Sequence, residues 1–364
     1  MTKKTIVISG INMKEGGIFT ILDNCLQKIA IYAKDNDVKV IALVPDSSQF
    51  NYPNIEYIGF QNSKNSWIAR LYYEYFYFNK LSKTIQPDVW LSLHDVTPNV
   101  LAKKRFVYFH HPTLFYKSSY NDWKFDYKIG VFSILYKYLT GLNIKKNDAV
   151  LVQQNWIKNE FEKFYKIRNI KVCYPEFVTN TFTESIPKEN TKIQFFYPLV
   201  ARSFKNVEII AEALQLLPES IKNKIQVSLT FAKGDSKYGD YIIDKYTSTP
   251  FQFLGKLSRE EVFRNYQSMD CLLFPSKLET WGLPLSEAKA FGKPILAANL
   301  PYAKETIGDY EKVSFFNPEN PKELADFISQ FVSNTIEFQG NKNTFENSNQ
   351  LNDWNSIFEY LIKD

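Results

Sequence analysis

The chain has 364 residues, of which 45% are hydrophobic and 23% charged; this is ordinary for a globular protein and long enough for two domains with sizeable cores. Its formal charge of +5 is compatible with an anionic ligand or surface, but there is no dense Lys/Arg run and no nucleic-acid motif, so no nucleic-acid partner is expected. Cys25, Cys173 and Cys271 lie far apart in apolar segments without a metal-binding spacing, and read as buried free thiols in a reducing compartment.

The chain opens on a short apolar run, Ile6–Ser9, too short for a signal peptide and suited to a first buried strand. Further strand-like runs follow at Val38–Val44, Ile55–Phe60, Val89–Leu93, Phe106–Phe109 and Ala149–Gln153, with helical patterns at Phe19–Ala33 and Asn155–Phe164. A polar, strand-poor stretch, Glu176–Thr191, contains Pro187 and is the expected linker. The second half repeats the alternation. Strands are expected at Ile193–Val200, Gln226–Phe231, Phe251–Leu254, Cys271–Phe274, Pro294–Ala298 and Val313–Phe315. Helices are expected at Val207–Leu216, Ser258–Gln267, Pro284–Phe291 and Pro321–Val332. A polar loop, Ser333–Asn349, precedes a final amphipathic helix, Leu351–Lys363.

Continuous apolar strands alternating with helices imply parallel sheets covered on both faces. The fold class is therefore α/β, with two Rossmann-like, doubly wound domains facing a central cleft. The expected domains are 1–178 and 185–345, with the helix at 350–364 packing back on the first. No run of about 18 apolar residues occurs, so no membrane span is expected and the location read is cytoplasmic.

The most informative stretch is Phe274-Pro275-Ser276-Lys277-Leu278-Glu279-Thr280-Trp281-Gly282-Leu283-Pro284-Leu285-Ser286-Glu287-Ala288. It follows a buried strand and opens a helix, with Pro284 suited to the first turn and Gly292 to the stop. Backbone N–H groups around Gly282–Leu285 and the positive end of the helix dipole form a phosphate site. Gly282 lets a ligand approach the backbone. Glu287, one turn in, leans back towards the same N-terminus, where it can accept hydrogen bonds from ribose hydroxyls. Glu279, on the preceding loop, is placed to meet a sugar beyond the phosphates.

Glu279 and Glu287, with the preceding Phe-Pro-Ser, the Gly-Leu-Pro helix start and the trailing Phe-Gly-Lys-Pro, closely resemble the glutamate-pair motif of glycosyltransferase family 4. The resemblance implies the GT-B fold, a nucleotide-sugar donor and retention of the anomeric configuration. It assigns Glu287 to the donor ribose and Glu279 to the donor sugar, with Thr280, Gly282, Leu283 and Leu285 at the donor. It extends to Gly16 and Gly17, a glycine loop beside the diphosphate, and to Arg202 and Lys205, which would neutralise a departing diphosphate. Arg202 and Lys205 stand closer together than is usual in that family.

The three histidines fall at strand ends of the first half, where open α/β sheets gather catalytic residues. By the same resemblance His110 is favoured beside the donor sugar, with His111 as the alternative. His94 and Asp95 are acceptor-side candidates.

Asp35-Asn36-Asp37 has the Asp-x-Asp form of metal-dependent transferases, but it lies between a helix and Val38–Val44, at the wrong end of the strand for the crevice. No metal site and no bound cofactor are expected; the nucleotide-sugar is a substrate. No dinucleotide loop, P-loop or nucleophile elbow is present. Two aromatic-basic regions, Trp67–Lys83 and Phe115–Lys146, read as large core helices or as a surface that meets an anionic membrane at its inner face. Trp67, Trp123 and Tyr136 stand there with Lys117, Lys124, Lys128, Lys137, Lys145 and Lys146.

The expected function is a retaining, metal-independent transfer of sugar from a UDP- or GDP-linked donor to a glycan or lipid-linked oligosaccharide in bacterial surface polysaccharide synthesis. A sugar-nucleotide 2-epimerase, a catalytically silent glycan- or protein-binding subunit and a glycogen-phosphorylase-like enzyme are the alternatives. The last needs a lysine-bound cofactor and a much longer chain.

Overall fold

The computed structural model describes residues 3–14, 16–64, 66–174, 191–342 and 350–363. The expected linker, Glu176–Thr191, lies outside them except for its last residue, as does the end of the expected loop Ser333–Asn349 from 343 onward. The strands are β1 Lys4–Ser9, β2 Val38–Val44, β3 Ile55–Gly59, β4 Val89–Ser92, β5 Lys104–Phe109, β6 Ala149–Val152, β7 Ile170–Cys173, β8 Ile193–Tyr197, β9 Ile225–Leu229, β10 Phe251–Phe253, β11 Cys271–Phe274, β12 Ile295–Ala298, β13 Val313–Phe316 and β14 Gln350–Leu351. The helices are α1 Gly16–Asp35, α2 Trp67–Tyr72, α3 Phe78–Ile85, α4 Tyr120–Phe125, α5 Tyr127–Gly141, α6 Asn155–Tyr165, α7 Val207–Leu216, α8 Glu219–Lys222, α9 Lys237–Lys245, α10 Arg259–Ser268, α11 Leu283–Ala290, α12 Pro301–Ile307, α13 Pro321–Val332 and α14 Trp354–Ile362. A π-helical turn, Tyr73–Tyr77, joins α2 to α3.

The chain forms two compact units, one of Met1–Phe115, Ile134–Phe177 and Asn347–Asp364, the other of Tyr116–Ser133 and Val178–Glu346. In the first, the strands described form one parallel sheet in the order β14-β7-β6-β5-β4-β1-β2-β3. In the second they form a parallel sheet in the order β10-β9-β8-β11-β12-β13. Both are Rossmann-like and doubly wound, as the alternation of apolar runs and helices predicts. The strand order reverses between β1 and β4 in one and between β8 and β11 in the other. Ligand sites of such sheets lie at that switch point, outside the carboxyl ends of the strands.

Each core follows from the sequence. Ile6 and Ile8 point to one face of the first sheet, with Val40, Ala42 and Leu22, while Val7 points to the other, with Ile41 and Trp90. α14 closes the first of these clusters with Trp354, Ile357, Phe358 and Leu361. Cys25, Cys173 and Cys271 are buried and unbonded.

Two features depart from the sequence reading. β7 and β14 extend the first sheet; Lys171 interrupts the apolar run of the four-residue β7, and β14 has only two residues. More consequentially, Tyr116–Ser133 belongs to the second unit rather than to a first domain of 1–178. Its anchor is Asp122, fully buried, which accepts from the Ser119 N–H at 2.6 Å, from the Tyr116 hydroxyl at 2.8 Å and from the Ser203 hydroxyl. Asn121 donates to Glu208 at 2.9 Å, and the Phe125 ring lies 4.8 Å from that of Tyr241. The contacts with Ser203, Glu208 and Tyr241 reach so far along the chain that they leave no local signature in sequence.

Candidate functional site

In the second unit, two loops meet at the carboxyl ends of β8 and β11. Lys205 closes a 3-10 turn after β8, and Asn206 leaves that turn in a left-handed conformation with φ 57°. The Lys277 N–H donates to the Phe204 carbonyl at 2.8 Å, tying the loop after β11 to this turn. The consequence is an ion pair between Lys205 Nζ and Glu279 Oε1 at 2.5 Å, with both side chains largely buried. Arg202 is turned elsewhere: its guanidinium pairs with Asp126 at 3.0 Å on the surface.

Gly282 caps α11 with φ 85°, where glycine is favoured. A Cβ there would press on Leu285 Cδ1 at 3.3 Å and Phe274 at 3.4 Å. The Trp281 indole N–H donates to Ser286 Oγ at 2.9 Å and the Thr306 hydroxyl to the Trp281 carbonyl, which locks the helix start. Thr280 lies half-buried on the loop just before it. The phosphate-site reading needs one correction. The Leu285 N–H donates to the Gly282 carbonyl at 2.9 Å and its side chain is buried; Pro284 has no N–H, so Gly282 and Leu283 carry the amides of this start.

Glu287 is buried on α11. Its Oε1 lies 2.6 Å from the Arg259 guanidinium, which comes from the first turn of α10 and stacks 4.3 Å over the Phe263 ring. Burial, and then the Glu287 charge, push the Tyr266 hydroxyl far up its pKa scale. The sequence reading missed Arg259, which lies 28 positions before Glu287 in a segment notable only for its Ser-x-x-Glu capping box.

In the first unit, Gly16 opens α1. A side chain at Gly17 would meet nothing, whereas one at Gly10 would collide with Leu22 Cδ1 at 2.8 Å. A larger residue at Gly10, which the sequence reading passed over, would have to displace the Leu22 side chain.

The histidines sit where β4 and β5 end. His94 is buried, with Nε2 3.1 Å from Ser9 Oγ and Nδ1 3.2 Å from Glu74 Oε1. Arg70 donates to the His94 carbonyl at 2.9 Å. Burial, then the Arg70 charge, hold the His94 imidazole neutral. Glu74 lies on the π-helical turn, where such a distortion often marks a functional position. Burial raises its pKa to about 8. Asp95 takes φ 60°, and its Oδ1 accepts the His110 N–H at 2.5 Å. Burial lifts its carboxyl to about 6.

His110 is buried, its Nδ1 3.1 Å from Gln153 Nε2, its ring centroid 4.4 Å from that of Tyr108. Burial lowers its pKa to about 3, so the ring is neutral at physiological pH. His111 is half-buried, its Nδ1 2.5 Å from Thr113 Oγ1 and its ring beside Tyr136. Arg70, Glu74 and Gln153 were not singled out from sequence. The one signal for the first two was a charged pair four apart inside an aromatic run.

Asp35 ends α1, and Asp37 makes an exposed ion pair with Lys3 at 2.9 Å. Among the described residues no helix is long and apolar enough to cross a membrane.

The two doubly wound parallel sheets have the fold of GT-B glycosyltransferase structures. The structure resembles sucrose-phosphate synthase from Thermosynechococcus elongatus with a TM-score of 0.66, at 13% identity over 92% of this chain and 90% of that one. It resembles Anabaena HepE, solved with UDP and glucose, with a TM-score of 0.59, at 14% identity over 91% and 90%. At such identities the likeness is one of fold. Residues 178–349 match the family described as glycosyl transferases group 1, so this part of the chain carries that family's sequence signature. The O-antigen chain mannosyltransferase RfbU of Salmonella typhimurium is 22% identical over 236 residues, 60% of this chain and 62% of RfbU. The chain spans between 24% and 62% of the length of the curated relatives it matches.

Proposed function

We propose that the chain is a retaining glycosyltransferase, moving a sugar from a UDP- or GDP-linked donor to a glycan or lipid-linked oligosaccharide in bacterial surface polysaccharide synthesis, without a bound metal. The single observation that carries this reading is the pair of carboxylates, half-buried Glu279 and buried Glu287, each held by a cation beside one glycine-capped helix start. The match to glycosyl transferases group 1 and the likeness to RfbU support the chemistry and the setting.

Glu287 accepts the two ribose hydroxyls. Lys205, with the Gly282 and Leu283 amides, takes the diphosphate and stabilises its charge as the C1–O bond breaks. Arg202 contributes only if it leaves Asp126. Glu279 faces the sugar and offsets positive charge at C1. Within the first unit, His110 is neutral and offers a hydroxyl a hydrogen bond without charge; His111, His94 and Asp95, at the ends of the same strands, are proposed for the acceptor. The acceptor oxygen bonds to C1 from the face the diphosphate leaves, and its proton departs with the diphosphate.

The test is incubation with UDP- and GDP-sugars, with and without a lipid-linked oligosaccharide, and analysis of products and anomeric configuration. Acceptor-dependent product of retained configuration is expected. An epimerised nucleotide-sugar formed without acceptor, or neither transfer nor donor hydrolysis with any pair, overturns the proposal.

A further inference from the structure

His110 and Gln153 meet at the carboxyl ends of neighbouring strands. β5 and β6 pair in parallel with Phe109 opposite Val152, so the next residue of each, His110 and Gln153, stand side by side. Both are buried, and Gln153 Nε2 lies 3.1 Å from His110 Nδ1. An amide and a neutral imidazole each have a donor end and an acceptor end, so their neighbours decide which atom carries the proton. Here the neighbour is Tyr108, whose ring centroid lies 4.4 Å from that of His110. Its hydroxyl donates to the Cys173 carbonyl at 2.8 Å, which commits its only proton. The Gln153 side chain is also hydrogen-bonded to that hydroxyl, and there it can only be the donor. The amide nitrogen is therefore shared: one N–H serves the Tyr108 oxygen and the other serves His110 Nδ1.

Because Nδ1 accepts an N–H, it keeps its lone pair, and a neutral ring must carry its one proton on Nε2. Burial holds the ring neutral, lowering its pKa to about 3. The titratable groups at the end of β4 do not change this. Asp95 Oδ1 accepts the backbone N–H of His110 at 2.5 Å, and His94 is itself kept neutral. The Leu93 carbonyl lies near the ring and favours a proton on it. Nε2 is buried and has no hydrogen-bond partner among the described residues. A buried donor without an acceptor is destabilising, and an oxygen brought by a ligand removes that cost.

We infer that Gln153 is a positioning residue: it fixes the His110 imidazole with its proton on Nε2, where the ring donates a hydrogen bond to a ligand oxygen and cannot accept one. Only the identity of that oxygen, a sugar hydroxyl, rests on the proposed transfer; the place of the proton does not. With the amide reversed, Gln153 Oε1 would face the Tyr108 oxygen with no hydrogen between them, and His110 Nε2 would become an acceptor. In the arrangement present, a hydroxyl bound at Nε2 keeps its own proton for another partner.

The test is long-range ¹H–¹⁵N NMR of the full chain with ¹⁵N-labelled histidine. The chain has 3 histidines, so the ring system lost in His110→Asn is assigned directly. At about pH 7 the wild-type His110 ring is expected to carry its proton on Nε2, with an Nδ1 resonance displaced by an accepted hydrogen bond. Gln153→Met, of similar length, is expected to shift Nδ1 towards the value of a nitrogen that accepts nothing. In transfer assays the same variant is expected to lose about two- to tenfold in kcat, the worth of one neutral hydrogen bond, with unchanged affinity for UDP or GDP. A proton on Nδ1 in wild type, ring resonances unmoved by Gln153→Met, or an unchanged kcat alongside shifted resonances overturns the inference. Absence of transfer with every donor overturns the sugar assignment alone, because the spectra still decide where the proton sits.

Discussion

Lys205 Nζ and Glu279 Oε1 stand 2.5 Å apart, although 74 positions separate them in the chain. The pair joins the turn after β8 to the loop after β11, across the switch point of the second sheet. In the proposed reaction a diphosphate takes Lys205 and leaves Glu279 facing the sugar. Lys205→Ala removes a charge-assisted hydrogen bond from the leaving group, worth about 1.5–3 kcal/mol, and is expected to lower kcat/KM by about ten- to a hundredfold. Glu279→Ala is expected to lower kcat with little change in the affinity for the nucleoside diphosphate. Steady-state kinetics alongside titration calorimetry separate the two effects.

Arg259 and Glu287 make the corresponding contact at the position proposed for the ribose, at 2.6 Å, with the arginine more than half exposed. Glu287→Ala is expected to weaken binding of UDP or GDP by tenfold or more, having removed hydrogen bonds to the ribose at about 1.5–3 kcal/mol. Arg259→Ala only frees the carboxylate to move, and a partly exposed pair contributes about 0.5–1 kcal/mol, so a two- to fivefold loss of affinity with unchanged kcat is expected. Titration calorimetry on both variants checks the order.

The positive charge proposed for the leaving diphosphate comes from Lys205 and the amides at the start of α11. Transfer is therefore expected to persist in excess EDTA, with no gain of more than about twofold on adding Mg²⁺ or Mn²⁺. A strict divalent-metal requirement in the same assay contradicts this assignment.

Glu74 gives the first unit a pH signature. Its carboxyl has an ordinary value of 4.5 in the unfolded chain and about 8 when buried. Above pH 4.5 the unfolded chain has lost this proton and the folded chain still holds it, so stability falls as pH rises towards 8. Between pH 8 and 6.5, towards the lower end, the unfolded chain also protonates its histidines, whereas burial keeps His94 and His110 neutral in the folded chain, and Asp95, raised to about 6, still holds part of a proton. The share of Glu74 is therefore the difference between the wild-type slope and that of Glu74→Gln. Glu74→Gln is expected to remove a loss of up to about 2 kcal/mol over that window, measured by denaturant unfolding at both ends.

The helix start of α11 was legible because Gly282, Pro284 and Gly292 punctuate it locally, and the parallel sheets because their buried strands read as unbroken apolar runs. The contacts of Lys205 with Glu279 and of Arg259 with Glu287 were not, since each joins two loops or helices brought together only by the sheet order. Glu74 was hidden for a different reason. A carboxylate in an aromatic helix reads as a solvated position, and only the π-helical turn rotates it inward against His94. The passage of Tyr116–Ser133 into the second unit depends on the buried Asp122, whose hydroxyl partners on Tyr116, Ser119 and Ser203 look like ordinary loop polarity.

The most direct measurement is the melting temperature of wild type and Glu287→Ala against a panel of UDP-, GDP- and ADP-sugars, because a ligand that binds only the folded state must stabilise it. The account predicts that at least one UDP- or GDP-sugar raises the wild-type value and that the variant loses the shift. No shift with any nucleotide-sugar, or an equal shift in the variant, contradicts it.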